Sequence, residues 1–157
     1  MAIWFHSKTP DFDWLSNFSP HPFTIEGVRW QTVEHFYQAQ KYPGLGVADA
    51  IHRSGSPAEA RSRGQDRSLT PRADWESLKV EVMRQAVAAK FAQNPALVER
   101  LRATGDEELI HESRTDRFWG RTQDNIGSHH LGVILMQVRA ELPHLAEPDA
   151  ASDGAGM

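Results

Sequence analysis

The stretch from Arg72 to Gln93 contains neither proline nor glycine, and Pro71 and Pro95 close it off at either end. No other feature constrains the fold as strongly. Trp75, Lys79, Met83, Ala86 and Lys90 recur at steps of four, four, three and four, the spacing of one helical face. The spacing predicts one long α-helix against which the rest of the chain must pack. Thr70-Pro71 announces it. Asn94-Pro95 ends it and caps a further helix running to about Ala103, where Thr104-Gly105 is the stop.

The rest of the chain is cut into shorter pieces. Ile3–Phe5 reads as a strand, and Asp11 to His21, rich in aromatic and turn residues, as a structured loop. Phe23–Ile25 and Val28–Trp30 read as a hairpin turning at Glu26-Gly27. Gln31 to Lys41 has helical spacing and stops at Pro43-Gly44. Helices follow at about Val47–Arg53 and from Ser56-Pro57 to near Gly64. Glu108–Glu112 reads as a strand, Asp116–Gly127 as a loop, and Leu131–Leu142 as an apolar helix with Leu131, Ile134, Leu135 and Val138 on its buried stripe. The expectation is an α+β fold, mostly α-helical, a single domain over residues 1–143 with a few short strands and a hairpin near the N-terminus. Residues 144–157 are acidic, lack Lys and Arg, and are expected to be disordered.

Several function classes are excluded. The chain has 157 residues, a length that fits one domain with a real core. It has no cysteine, which removes disulfides, thiolate metal sites, a thiol nucleophile and the zinc deaminases together. The eight histidines show no H-E-x-x-H spacing, so no metal site is expected. Nucleotide-binding glycine loops and the G-x-S-x-G elbow are missing, and no cofactor is expected. A net charge of −4 does not mark the whole molecule as a nucleic-acid binder. The first residues carry no secretory leader, and no run reaches the ~20 apolar residues of a membrane span. The expected location is the cytoplasm.

The charges that remain are unevenly placed. Arginine outnumbers lysine thirteen to four, and Lys41, Lys79 and Lys90 all fall on predicted helices. A buried lysine can lose its proton and act as base or imine-forming nucleophile, which arginine cannot. On the first helix, Glu34, Gln38 and Lys41 are spaced i, i+4, i+7 and lie within roughly 40° of one another, beside an apolar stripe of Val33, Phe36 and Tyr37. They are either a solvated ion pair or one edge of a site. Lys79 and Lys90, sharing a stripe with Trp75 and Met83, are either snorkelling stems or the neighbours of an anion. Asn17-Phe18 and Phe118-Trp119-Gly120 set flat rings beside short polar groups, a pairing that suits a planar base or a ribose. Arg53, Arg61, Arg63, Arg67 and Arg72 form a basic stretch against Glu59 and Asp66.

The motifs extend over most of the chain. They run as WLSNFSPxPFxxxGxxWxTxEHxxQAQK over Trp14–Lys41, DWxxxKxxVMxxAxxAKFxQNPxLxxxLxxTGDxxL over Asp74–Leu109, DxxWG over Asp116–Gly120 and GxxxLGxxLMxVRxxL over Gly127–Leu142. This collinear pattern resembles the NADAR (YbiA-like) family. The resemblance implies hydrolysis of an N-glycosidic bond joining ribose C1′ to an exocyclic amine. Two substrate classes follow from it. One is ADP-ribosylated guanine, as nucleoside or in nucleic acid, the reading that the basic stretch favours. The other is the ribosylamino-pyrimidine phosphates of early riboflavin synthesis, which need only one phosphate site. The expected roles are Glu34 as acid–base, Lys41 as imine-former or electrostatic stabiliser, and Asp116 as holder of a ribose hydroxyl or of the Trp119 loop. Asn17, Phe18, Gln38, Trp75, Trp119, Gly120 and His129 are expected to bind the substrate, with Arg61 and Lys79 meeting phosphate.

The chain departs from the family pattern at His111, where Glu is usual, and at His129, where Asn is usual. If Glu108–Glu112 is a strand, Glu112 faces away from His111 and cannot stand in for it. A non-catalytic ADP-ribose-binding module and service as an antitoxin against a guanine ADP-ribosyltransferase are further readings of the resemblance.

Overall fold

The computed structural model describes residues 1–142, so the acidic tail expected from residue 144 lies outside the described residues. The order of elements is β1 (Ala2–Phe5), a 3₁₀ turn at Asp13–Leu15, β2 (Phe23–Ile25), β3 (Val28–Trp30), α1 (Val33–Ala39), α2 (Gly46–His52), α3 (Pro57–Gly64), α4 (Trp75–Ala92), α5 (Pro95–Ala103), β4 (Glu108–His111) and α6 (His130–Ala140). This is the α+β, mostly helical fold expected. No helix among the described residues is long and apolar enough to cross a membrane.

The long helix is the spine, but it starts later than its proline suggests. Asp74 precedes its first residue and pairs with Arg72 at 2.6 Å, holding residues 72–74 outside the helix. Its buried face carries Trp75, Met83, Ala86, Val87, Lys90 and Phe91. Against it pack α1, α5, α6 and β2. Asn94 stands at the cap position of α5 without capping it. Its amide reaches back to the carbonyls of Lys90 (2.7 Å) and Pro22 (3.1 Å), tying the helix corner to the segment before β2.

Helix α1 is shorter than its spacing predicts, since its ends are set by specific bonds. Thr32 caps it by accepting from the His35 N–H at 3.2 Å. His35 is fully buried, and its ring links Thr32 Oγ1 (2.8 Å) to the Ser54 carbonyl (3.0 Å), which fastens α1 to the end of α2. All residues of α1 are buried, because α2, α3 and α4 cover it. Ser56 caps α3 through the Glu59 N–H, and Glu59 returns the contact to the Gly55 N–H at 3.0 Å, a reciprocal cap.

The strands make two separate pairs. β2 and β3 form the hairpin, with Phe23 opposite Trp30. β1 runs parallel to β4, with Phe5 opposite His111. Helix α6 lies close on β4, and a side chain at Gly132 would collide with the Leu109 carbonyl. The approach of helix to strand therefore requires that glycine.

Candidate active site

A cavity of about 270 Å³ opens where α1, α3, α4, the ends of β1 and β4, and the loops around Asn17 and Trp119 meet. Of the residues expected to form a site, Asn17, Phe18, Glu34, Gln38, Lys41, Arg61, Asp116 and Trp119 line it. Trp75, Lys79, Gly120 and His129 do not.

Helix α1 supplies the reactive edge. Glu34 is buried, and its Oε2 accepts from Gln38 Nε2 at 2.7 Å. Burial raises its pKa above the ordinary carboxylate value, against the pull of the Gln38 hydrogen bond and of Arg61 and Lys41. The carboxyl is thus biased towards holding a proton. Lys41, two turns on, donates to the Gly64 carbonyl at 3.4 Å. Burial lowers its pKa, and Glu34 pulls the other way. Glu34 and Lys41 face the same cavity, burial raising the pKa of the first and lowering that of the second, so their spacing places them along one edge of the cavity rather than on a solvated surface.

Gly64 shapes that edge. Its carbonyl also accepts from the Tyr42 hydroxyl at 2.6 Å, and any side chain on it would collide with the Gln38 carboxamide. Gln38 is thereby pressed into a slot in which Nε2 reaches Glu34 while Oε1 finds no partner among the described residues. The positions of Glu34, Gln38 and Lys41 all depend on the end of α3.

The loop of Ser16, Asn17 and Phe18 forms the second wall. Lys90 holds it from below. Its ammonium is buried and donates to the carbonyls of Trp14 (2.7 Å) and Ser16 (3.0 Å). Burial pushes its pKa down to about 7. Lys90 therefore neither snorkels nor meets an external anion. The Asn17 carbonyl accepts from the Glu34 N–H at 3.2 Å, using one of the otherwise unpaired amides at the start of α1.

The third wall comes from the ends of β1 and β4 and the loop after them. Asp116 Oδ1 accepts from the N–H groups of Phe118 (3.2 Å) and Trp119 (2.9 Å), so Asp116 orders the turn that presents Trp119. The Trp119 indole meets Tyr37 edge-on at 5.6 Å and donates to its hydroxyl at 3.2 Å. Trp75 packs on Tyr37 at 5.1 Å and so supports this wall without lining it. Lys79 sits 4.0 Å from the Phe118 ring and 2.8 Å from Glu76, outside the cavity. Gly120 is a close backbone approach: a Cβ there would lie 2.8 Å from the His111 carbonyl and 2.9 Å from that of Asp116. His129 is buried in a left-handed conformation just before α6, 3.6 Å from Glu108.

The basic stretch resolves residue by residue. Arg63 is paired with Glu59 at 2.9 Å and Arg72 with Asp74, while Arg61 lines the cavity. Sequence reasoning missed Tyr37, which it placed in the apolar stripe, Ser16, which stands in the WLSNFSP motif but was given no role, and His6, Ser7, Gln65 and Ser113, which lie outside the motifs. Met83 was legible as part of its helix face, and His111 by its position on the β4 face opposite Glu112; both line the cavity. No cluster suited to a metal ion occurs among the described residues.

The sequence and the fold are similar to those of known proteins. The NADAR domain profile matches residues 4–143. An N-glycosidase of Nostoc punctiforme is 40% identical over 148 residues, which cover 92% of this chain and 95% of that protein. A riboflavin biosynthesis protein of Vibrio vulnificus is 40% identical over 89% of this chain, a region that makes up 38% of that longer protein. The NMR structure of YbiA from E. coli superposes with a TM-score of 0.83 at 38% identity, covering 91% of this chain and 85% of that one; that protein is named as an N-glycosidase. With its profile, its fold and its full-length relatives in agreement, the chain belongs to the NADAR domain family, among its N-glycosidases.

Proposed function

We propose that this chain hydrolyses the bond between ribose C1′ and an exocyclic amino group, and that its substrate is a ribosylamino-pyrimidine carrying one phosphate. The observation that carries the reaction is the pair of Glu34 and Lys41 on one cavity edge, the first biased towards its acid form and the second towards its free amine. Glu34 protonates the departing nitrogen. Lys41 either attacks C1′ of the ring-opened sugar, forming an imine that water then releases, or steadies the charge that develops at C1′. Trp119 and Phe18 flank the base, and Asp116, its Oδ1 engaged by the loop, offers Oδ2 to the sugar.

Size and charge favour the smaller substrate. The cavity lies just under the ~300–1,000 Å³ common for small-molecule sites. Arg61 is the guanidinium at its wall, and its neighbours Arg63 and Arg72 are taken up by carboxylates. One phosphate is matched; a pyrophosphate is matched less well. The riboflavin biosynthesis relative supports the same choice. ADP-ribosyl-guanine is the second reading. It is favoured by Gln65, which lines the cavity beside the basic stretch, where the remainder of a larger ligand would lie.

The test is turnover of the two substrates side by side. Release of ribose 5-phosphate at a kcat/KM at least tenfold above that for ADP-ribose release supports the proposal, and the opposite ratio transfers it to ADP-ribosyl-guanine. Glu34→Gln and Lys41→Ala both abolish release if the reaction is as described. Borohydride reduction during turnover leaves a covalent adduct only on the imine route.

A further inference from the structure

The cleavage needs a group that takes a proton from water, and neither Glu34 nor Lys41 fills that role. Glu34 is required as the acid, and Lys41 as nucleophile or cation. Asp116 has one oxygen fixed by two backbone amides. His6 is exposed, and its Nδ1 accepts from the Lys8 N–H at 3.1 Å.

His111 is different. It ends β4, opposite Phe5, and its ring rests 5.5 Å from the Phe5 ring. It lines the cavity beside Asp116 and Trp119. Its Nδ1 is sealed from solvent and has no hydrogen-bond partner among the described residues. Buried polar atoms are almost always paired, and this unpaired one belongs to a ring in the cavity wall. With Nδ1 sealed, the ring edge that reaches a ligand carries Nε2. The groups that act on the ring electrostatically are Asp116 and the Phe5 carbonyl, which favour its charged form, and Arg61 and His6, which oppose it. Burial outweighs them and lowers its pKa, leaving a neutral ring at neutral pH.

The geometry points to His111 as the general base that activates water for attack at C1′. The inference rests on the N-glycosidase reading above. A proton on the sealed Nδ1 leaves the Nε2 lone pair for the cavity. As the water oxygen bonds to C1′, one of its protons passes to Nε2. The C1′–N bond breaks with its electron pair going to nitrogen, which takes the Glu34 proton. On the imine route the same water adds to C1′ of the Lys41 iminium, and the C=N π pair goes to the lysine nitrogen. That nitrogen then takes a proton, and the C1′–N bond breaks with its electron pair going to nitrogen as the new hydroxyl loses its proton and becomes the sugar aldehyde. The imidazolium then loses its proton to solvent and Glu34 regains one. No oxidant, reductant or metal is required.

The experiment uses the full chain and whichever of the two substrates the wild type turns over. His111→Ala removes the base and opens space beside Phe5. His111→Gln keeps bulk and hydrogen bonding without basicity. Both lose on the order of a hundredfold or more in kcat, the scale of general base catalysis, with KM within threefold of wild type. Millimolar imidazole restores turnover to His111→Ala, in proportion to its unprotonated fraction. A purely structural histidine has no such response. Either variant turning over within threefold of wild type overturns the proposal. So does a folded His111→Ala, verified by its thermal melt, that imidazole fails to rescue. A wild-type chain that releases no sugar from either substrate defeats the parent reading first, and this one with it.

Discussion

At the scale of single residues, three buried ionisable groups set the behaviour of this protein. Glu34 is held with a raised pKa, so ionising it costs the folded state. That cost is nil at pH below its ordinary value of 4.5, where folded and unfolded chains are both protonated, and grows as pH rises. Glu34→Gln is therefore expected to be inactive yet more stable than wild type at pH 8 and not at pH 4, a trade of function against stability that paired melts would reveal. Lys41 and Lys90 have lowered values. Between about pH 7 and the ordinary 10.5 the unfolded chain holds a proton that folded Lys90 does not, so its contribution to stability rises with pH across that window. Lys90→Met removes the two hydrogen bonds that tie the Trp14 and Ser16 carbonyls to α4 and lowers stability throughout, and it also flattens this rise. Melts of both proteins from pH 7 to 10 measure the slope, and an unchanged slope in the variant would place the titration elsewhere.

At the scale of elements, the sequence was legible wherever local chemistry decides and silent where distant parts meet. Prolines, glycines and the cap Ser56 announced the helices, while the Thr32 cap of α1 emerged only from the structure. The hairpin fell at its predicted residues, since Phe23, Ile25, Val28 and Trp30 sit around a turn that needs positive φ at Glu26 and Gly27. The boundary at Arg72 was missed because a short-range ion pair with Asp74 competes with helix propensity. Much of the site was readable from motifs and from the period of α1. Tyr37 was not: a tyrosine in an apolar stripe is indistinguishable from core until a partner such as Trp119, far along the chain, arrives. Lys79 and Trp75 share a face with Met83, but only Met83 reaches the cavity, because Phe118 and Tyr37 intervene. The end of α3 gives a prediction of its own. Gly64→Ala displaces Gln38 and with it Glu34, and a misplacement of about 1 Å costs on the order of a hundredfold in kcat. Helix content by circular dichroism should stay the same, which separates lost geometry from lost fold.

At the scale of the whole molecule, the cavity belongs to no single element. Its walls come from the ends of β1 and β4, from α1, α3 and α4, and from two loops, and most of the bonds that hold it are long-range: Lys90 to Trp14, Asn17 to Met83, Trp119 to Tyr37. Removing Met1–Phe5 takes away the strand partner of β4 and should abolish turnover and lower the melting temperature, as steady-state assay and melting of the truncated chain would show. The same pairing dictates when the protein becomes an enzyme. Strand β1 leaves the ribosome well before β4 and must wait, edge unfilled, until residues 108–111 follow it out. A nascent chain that already displays its acid and its amine has no chamber in which to use them. Competence therefore switches on late and all at once, and slowing translation after α5 should lengthen the interval in which the exposed first strand is open to mispairing.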